Sequence, residues 1–127
     1  MKTKMTFQVL LMTLVLGSVA WGVQMPQTIN NDRDLKTALK AAKTPEDHQR
    51  IAAYYAAKAE GLNSQATGYE QAAASARNTP VVKNIMAPNT AARYEAMAKE
   101  YRQEARSNRE MAASQEQLAK NTEVASK

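Results

Sequence analysis

The feature that most constrains this chain is an alanine that returns every seventh residue in two separate segments. Ala52, Ala59, Ala66 and Ala73 keep that spacing in the first, and Ala91, Ala98, Ala105, Ala112 and Ala119 keep it in the second. Steps that alternate three and four lead to a second repeating position. It holds His48, Tyr55, Leu62 and Tyr69 in the first segment, then Tyr94, Tyr101, Asn108 and Gln115 in the second. A sustained repeat of 3.5 residues specifies helices that wind left-handedly around each other, and alanine at one of the two core positions lets their backbones approach closely. Ala, Gln, Glu, Lys, Arg and Met dominate the rest, and only 6% of residues are aromatic, which is a helix-forming composition. The expected fold is all-α: a long antiparallel two-helix hairpin, an alanine-heptad coiled coil, preceded by one short helix.

Boundary signals place the elements. Leu35, Ala38, Leu39 and Ala42 form one apolar stripe, which predicts a short helix over 32–43 with Asn31 or Asp32 as its cap. Thr44-Pro45 breaks it, because the residue before a proline avoids helical geometry. The same residues restart the chain: Thr44 suits an N-cap, Pro45 the first helical position, and Glu46 with Asp47 the positive end of the helix. A long helix is expected over 45–78, up to Asn78-Thr79-Pro80, and a second over 90–124 after Pro88-Asn89-Thr90. Each would be about 50 Å long at 1.5 Å per residue. Gly61 and Gly68 fall inside the first, each costing about 1 kcal/mol relative to alanine, so tertiary packing is expected to offset them.

The short link between the long helices predicts antiparallel packing. With the turn near Lys83-Asn84, Tyr55 faces Ala112, Leu62 faces Ala105 and Tyr69 faces Ala98; reciprocally, Tyr101 faces Ala66 and Tyr94 faces Ala73. Large and small residues then complement each other in every layer. The halves resemble one another, Ala52-x-x-Tyr55 with Ala98-x-x-Tyr101 and Glu70-Gln71 with Glu116-Gln117; duplication and coincidence in alanine-rich sequence both account for this.

The N-terminus reads as an address. Lys2 and Lys4 precede an apolar stretch from Phe7 to Leu16, and Ser18-Val19-Ala20 or Ala20-Trp21-Gly22 offers a small-residue cleavage site. Residues 1–22 are expected to be a signal peptide cleaved near Ala20-Gly22, and 23–31 a flexible start to the mature chain, which would be periplasmic or secreted. The alternative is an uncleaved anchor, for which the apolar run falls short of the roughly 20 residues that span a bilayer. No cysteine is present, which excludes disulfides, thiolate metal sites, a thiol nucleophile and a lipobox.

Charge and motifs narrow the function classes. Taking Lys2 and Lys4 from the 17 basic residues leaves 15 against 12 acidic ones, a balance of about +3 with the signs interspersed. No one-sided basic stripe for nucleic acid is visible. His48 is the single histidine and a weak metal candidate, since Glu46, Asp47 or Glu123 would have to complete the ligand set. There is no nucleophile–base pair, no carboxylate pair in an apolar setting and no glycine-rich phosphate loop, so neither an enzyme nor a cofactor is expected.

Four of the five tyrosines sit on the heptad seam and are expected in the core. Tyr54 lies beside it, and Ile51, Met97, Met111 and Leu118 extend the same apolar flank. One hairpin cannot bury both seam and flank. The surplus implies docking of the Leu35/Leu39 helix, self-association into a four-helix bundle, or a client surface rich in adaptable methionine. The turn 81–86, with Val81, Val82, Ile85 and Met86, is apolar for a surface loop and is either a hairpin cap or a contact tip.

The segment His48-x-x-Ile51-Ala52-x-Tyr54-Tyr55, with the alanine-rich helix after it, resembles an uncharacterised group of small exported bacterial proteins with two Ala-rich helical halves. The resemblance spans Thr44 to Ala119. That group carries a His, often beside a Cys, in its second half, where this chain has Arg93-Tyr94. The first functional expectation is an exported, non-enzymatic interaction protein of the cell envelope, binding a protein partner or forming a homodimer through its Met/Tyr flank. The alternatives are periplasmic binding of a metal or small ligand by His48 and its acidic neighbours, and peripheral membrane binding through 81–86.

Overall fold

A computed structural model describes residues 28–78 and 87–127, with side chains from 89 onward in the second stretch. The described residues form three helices and no strand: α1 (Asp32–Ala41), α2 (Pro45–Asn78) and α3 (Ala87–Ala125). The chain is an all-α hairpin in which α2 and α3 pack along their length and α1 folds back on α2. Residues 1–22, expected to be a signal peptide, and 81–86, expected to be the turn, lie outside the described residues.

Local chemistry sets the helix ends. Asn31, in extended conformation, caps α1 by accepting the Asp34 amide at 2.9 Å, while the Asp34 carboxylate accepts the Asn30 amide at 3.1 Å. The start of α2 is a reciprocal capping box. Thr44 Oγ1 accepts the Asp47 amide at 3.2 Å, and Asp47 Oδ2 accepts the amides of Thr44 at 3.1 Å and Lys43 at 3.0 Å. That carboxylate explains why α1 ends at Ala41 and not at Lys43: the Lys43 and Thr44 amides turn forward to Asp47. The Lys43 amide in particular holds the Asp47 carboxyl below its ordinary range, against partial burial that pushes it up. At the other long helix, α3 begins at Ala87 and takes Pro88 into its first turn, where a missing N–H costs no hydrogen bond.

The alanine seam is the core. Ala52, Ala59, Ala66 and Ala73 of α2 and Ala91, Ala98, Ala105, Ala112 and Ala119 of α3 are all buried. The register follows the large-to-small layers. Tyr55 and Ala112 share one buried cluster, Leu62 and Ala105 share another, and the Tyr69 ring lies between those of Tyr94 and Tyr101, the level of Ala98. At the open end His48 Nδ1 donates to Gln115 Oε1 at 2.8 Å across the seam. Asn108, also buried, donates to the Glu104 carbonyl at 2.8 Å, so neither polar seam residue is left without a partner.

One expectation is corrected. Of the four seam tyrosines only Tyr55 is buried; Tyr69, Tyr94 and Tyr101 are half-buried. Tyr55 is enclosed with Leu35, Ala38 and Ile51 where α1 docks, whereas the other three lie beyond α1 and pack against one another. Gly61 and Gly68 lie within the unbroken α2, which packs on α3 as a whole, and no contact is made at the glycines themselves. A Cβ built at Gly61 or Gly68 would meet nothing within 4 Å, and both positions are exposed.

Candidate functional site

The two flanks of the hairpin differ in chemistry, and the seam determines which residues fall on each. Glu70 and Arg77 follow Ala66 and Ala73 by four residues, as Glu95, Arg102 and Arg109 follow Ala91, Ala98 and Ala105. In an antiparallel pair these positions face each other along one side. Arg102 grips Glu70 with two donors, Nε and Nη2, each at 2.8 Å; Arg77 pairs with Glu95, and Arg109 reaches Glu60 at 3.2 Å. The Arg102 hydrogen bonds hold the Glu70 carboxyl below its usual range, and Glu70 raises Arg102 in return. Exposed pairs of this kind contribute little stability each, but they place charged groups along the length of the flank. A groove of about 660 Å³ beside them is lined by Glu70, Glu95, Lys99, Arg102, Arg106 and Glu110 among others, a solvated mixed-charge surface.

The opposite flank holds the residues that precede the seam alanines: Ile51 on α2, and Met97, Met111 and Leu118 on α3. Helix α1 covers its α2 side. Leu35 and Ala38 bury Ile51, and Ile29, Ala42 and Tyr54 close around them. Tyr54 meets Tyr55 edge-on at 6.1 Å, and its hydroxyl donates to Asp32 Oδ1 at 3.2 Å, which Lys58 also approaches at 3.4 Å. Burial, then the hydrogen bond and charge of Asp32, pushes the Tyr54 phenol up. Of the three fates open to the surplus flank, docking of α1 thus accounts for Ile51 and Tyr54. It does not account for the α3 side. Met111 is 45% exposed, Leu118 41% and Leu39, on α1 itself, 40%; Met97 is half-buried.

The remaining candidates fall out as follows. His48 is half-buried and engaged by Gln115, while the neighbouring Asp47 carboxylate is committed to the cap. Among the described residues no three His, Cys, Asp or Glu side chains are grouped to hold a metal ion. Val81, Val82, Ile85 and Met86 lie outside the described residues, as does the contact tip they would form. Among the described residues no helix is long and apolar enough to cross a membrane.

Sequence reasoning missed two groupings. One is the ion-pair ladder, whose signal was the recurrence of Glu and Arg four residues after seam alanines in both helices. The other is the half-exposed phenol stack. Tyr69 and Tyr101 are nearly parallel, with centroids 5.4 Å apart and planes 10° apart, and Tyr94 lies 6.1 Å from Tyr69 at 32°. The neighbouring Tyr69 phenol is the main influence that pushes Tyr101 up, with burial and a hydrogen bond to Tyr69 adding to it. The sequence matches no protein-family model, no curated protein and no solved structure.

Proposed function

We propose that this chain is an exported, non-catalytic interaction protein of the cell envelope that engages a protein partner, or a second copy of itself, through the flank formed by Leu39, Met111 and Leu118. The observation that carries this reading is the inequality of the two flanks. One carries the inter-helix ion pairs, and the other leaves Met111 and Leu118 of α3 45% and 41% exposed, with Leu39 of α1 40% exposed. Large apolar side chains grouped on one face of a small protein mark contact surfaces more often than chance exposure, and methionine adapts to varied partners. Export rests on the basic, apolar and small-residue order of the first 22 residues. Tyr54, proposed from the sequence as part of this surface, supports α1 beneath it instead.

The test is a double substitution, Met111→Glu with Leu118→Glu, in the exported chain. Both positions are exposed, so the helices should form as before by circular dichroism. Light scattering should then show loss of any dimer, and cross-linking in intact cells should show loss of the partner band that the parent chain gives. Unchanged mass and unchanged cross-links would refute the flank reading.

A further inference from the structure

Tyr69 and Tyr101 form the one near-parallel ring pair across the α2–α3 groove among the described residues. Both are half-buried and open to solvent along one edge, and both are held by helices whose seam alanines fix the backbone on either side. The chain has no thiol to consume an oxidant, and among the described residues, which do not include the single tryptophan Trp21, tyrosine is the group that one-electron oxidation reaches first. We propose that Tyr69 and Tyr101 are an oxidative coupling site, at which hydrogen peroxide acting through a haem peroxidase joins the two phenol rings by a carbon–carbon bond and staples α2 to α3.

The chemistry balances without further reagents. Each phenol gives up one electron and its hydroxyl proton to become a phenoxyl radical. The radicals pair at the carbons ortho to oxygen, and the ring hydrogen at each joined carbon moves to its oxygen as aromaticity returns. The two electrons and two protons reduce one peroxide to two waters. Stacked rings need only side-chain rotation to bring their ortho carbons together. A pair held this way outcompetes encounter between separate molecules on the order of a thousandfold at micromolar protein, because its effective concentration is millimolar or more. Tyr94 meets Tyr69 farther away and at a steeper angle, and Tyr55 is buried edge-on against Tyr54, so neither is as well placed.

The test treats the full chain at micromolar concentration with a haem peroxidase and hydrogen peroxide, and reads dityrosine fluorescence and peptide masses. Trypsin cuts after Lys58, Arg77, Arg93, Lys99 and Arg102, so Tyr69, Tyr94 and Tyr101 leave on three different peptides. The expected product is monomer-sized, joins the Tyr69 and Tyr101 peptides with loss of two hydrogens, and unfolds at a higher urea concentration. Tyr69→Phe and Tyr101→Phe keep the ring packing and should abolish this product, whereas Tyr94→Phe should leave it in place. Predominantly intermolecular cross-links, a principal product through Tyr94, or survival of the product in either Phe variant would overturn the assignment.

Discussion

Replacing Gly61 and Gly68 with alanine tests how completely the hairpin's own packing accounts for its sequence. Both lie inside α2, one and two heptads beyond Tyr54 on the same stripe, where α1 no longer covers the helix. An added Cβ meets nothing within 4 Å at either site, so the substitution brings neither a clash nor new buried area. What remains is backbone entropy: glycine loses more freedom on entering a helix than alanine does, about 1 kcal/mol per site. The sites share no partner, so the effects should add to about 2 kcal/mol, or roughly 10 °C in Tm for a domain of this size. Urea unfolding followed by far-ultraviolet circular dichroism should show a raised midpoint with an unchanged slope, since the surface exposed on unfolding is unaltered. A neutral or destabilised double variant would refute the reasoning and show that the glycines are covered, or their backbone irregular. A stabilised variant that has lost its partner in cells would locate the partner on this stripe.

The cap of α2 and the seam each give a further prediction. Thr44→Ala should cost about 1 kcal/mol in urea unfolding, because the Asp47 amide loses its acceptor. Asp47 has its folded value lowered from 3.8, first by the Lys43 amide, so its contribution is present above that ordinary value and is lost as pH falls through the lowered one. Asp47→Asn should flatten this acid limb in a pH series of urea midpoints; an unaltered limb would remove the carboxylate from the cap. Ala59→Leu, at a fully buried seam position, should destabilise the hairpin by about 1–3 kcal/mol through overpacking, and a variant as stable as the parent would mean the helices can move apart.

Most of the fold was legible because one physical rule governs it. Close helix approach needs a small residue at every turn of the seam, so Ala52 to Ala119 wrote the register directly into the numbering, and Tyr55 with Ala112 and Leu62 with Ala105 followed. Thr44, Pro45 and Asp47 were equally plain, since capping is local chemistry. The surface was harder. The sequence left three fates for the second apolar flank, and the choice of α1 depended on the Asp47 carboxylate drawing the chain back after Ala41, together with Asp32 meeting Tyr54 and Lys58. Three of the tyrosines were placed on the correct positions but too deep, because heptad position gives the direction of a side chain and not whether a third helix covers it, as α1 covers Tyr55. The cost of the glycines is offset by the packing of α2 on α3 as a whole, since no contact lies at either site.

The docking of α1 divides the hairpin into two unequal stretches. Near the open end, three helices enclose Leu35, Ala38, Ile51, Tyr55 and Ala112, and the next layers hold Ala59, Leu62 and Ala105. Beyond them the buried positions among the described residues are Ala66, Ala73, Ala91 and Ala98, flanked by half-buried rings. Alanine removes little apolar surface from water, so separating the helices there forfeits less than it does at the base. Opening is therefore graded along the molecule. Hydrogen exchange should be faster for the amides of α2 past Ala66 and of α3 before Ala98 than for those near Ile51 and Ala112, and equal protection throughout would refute this.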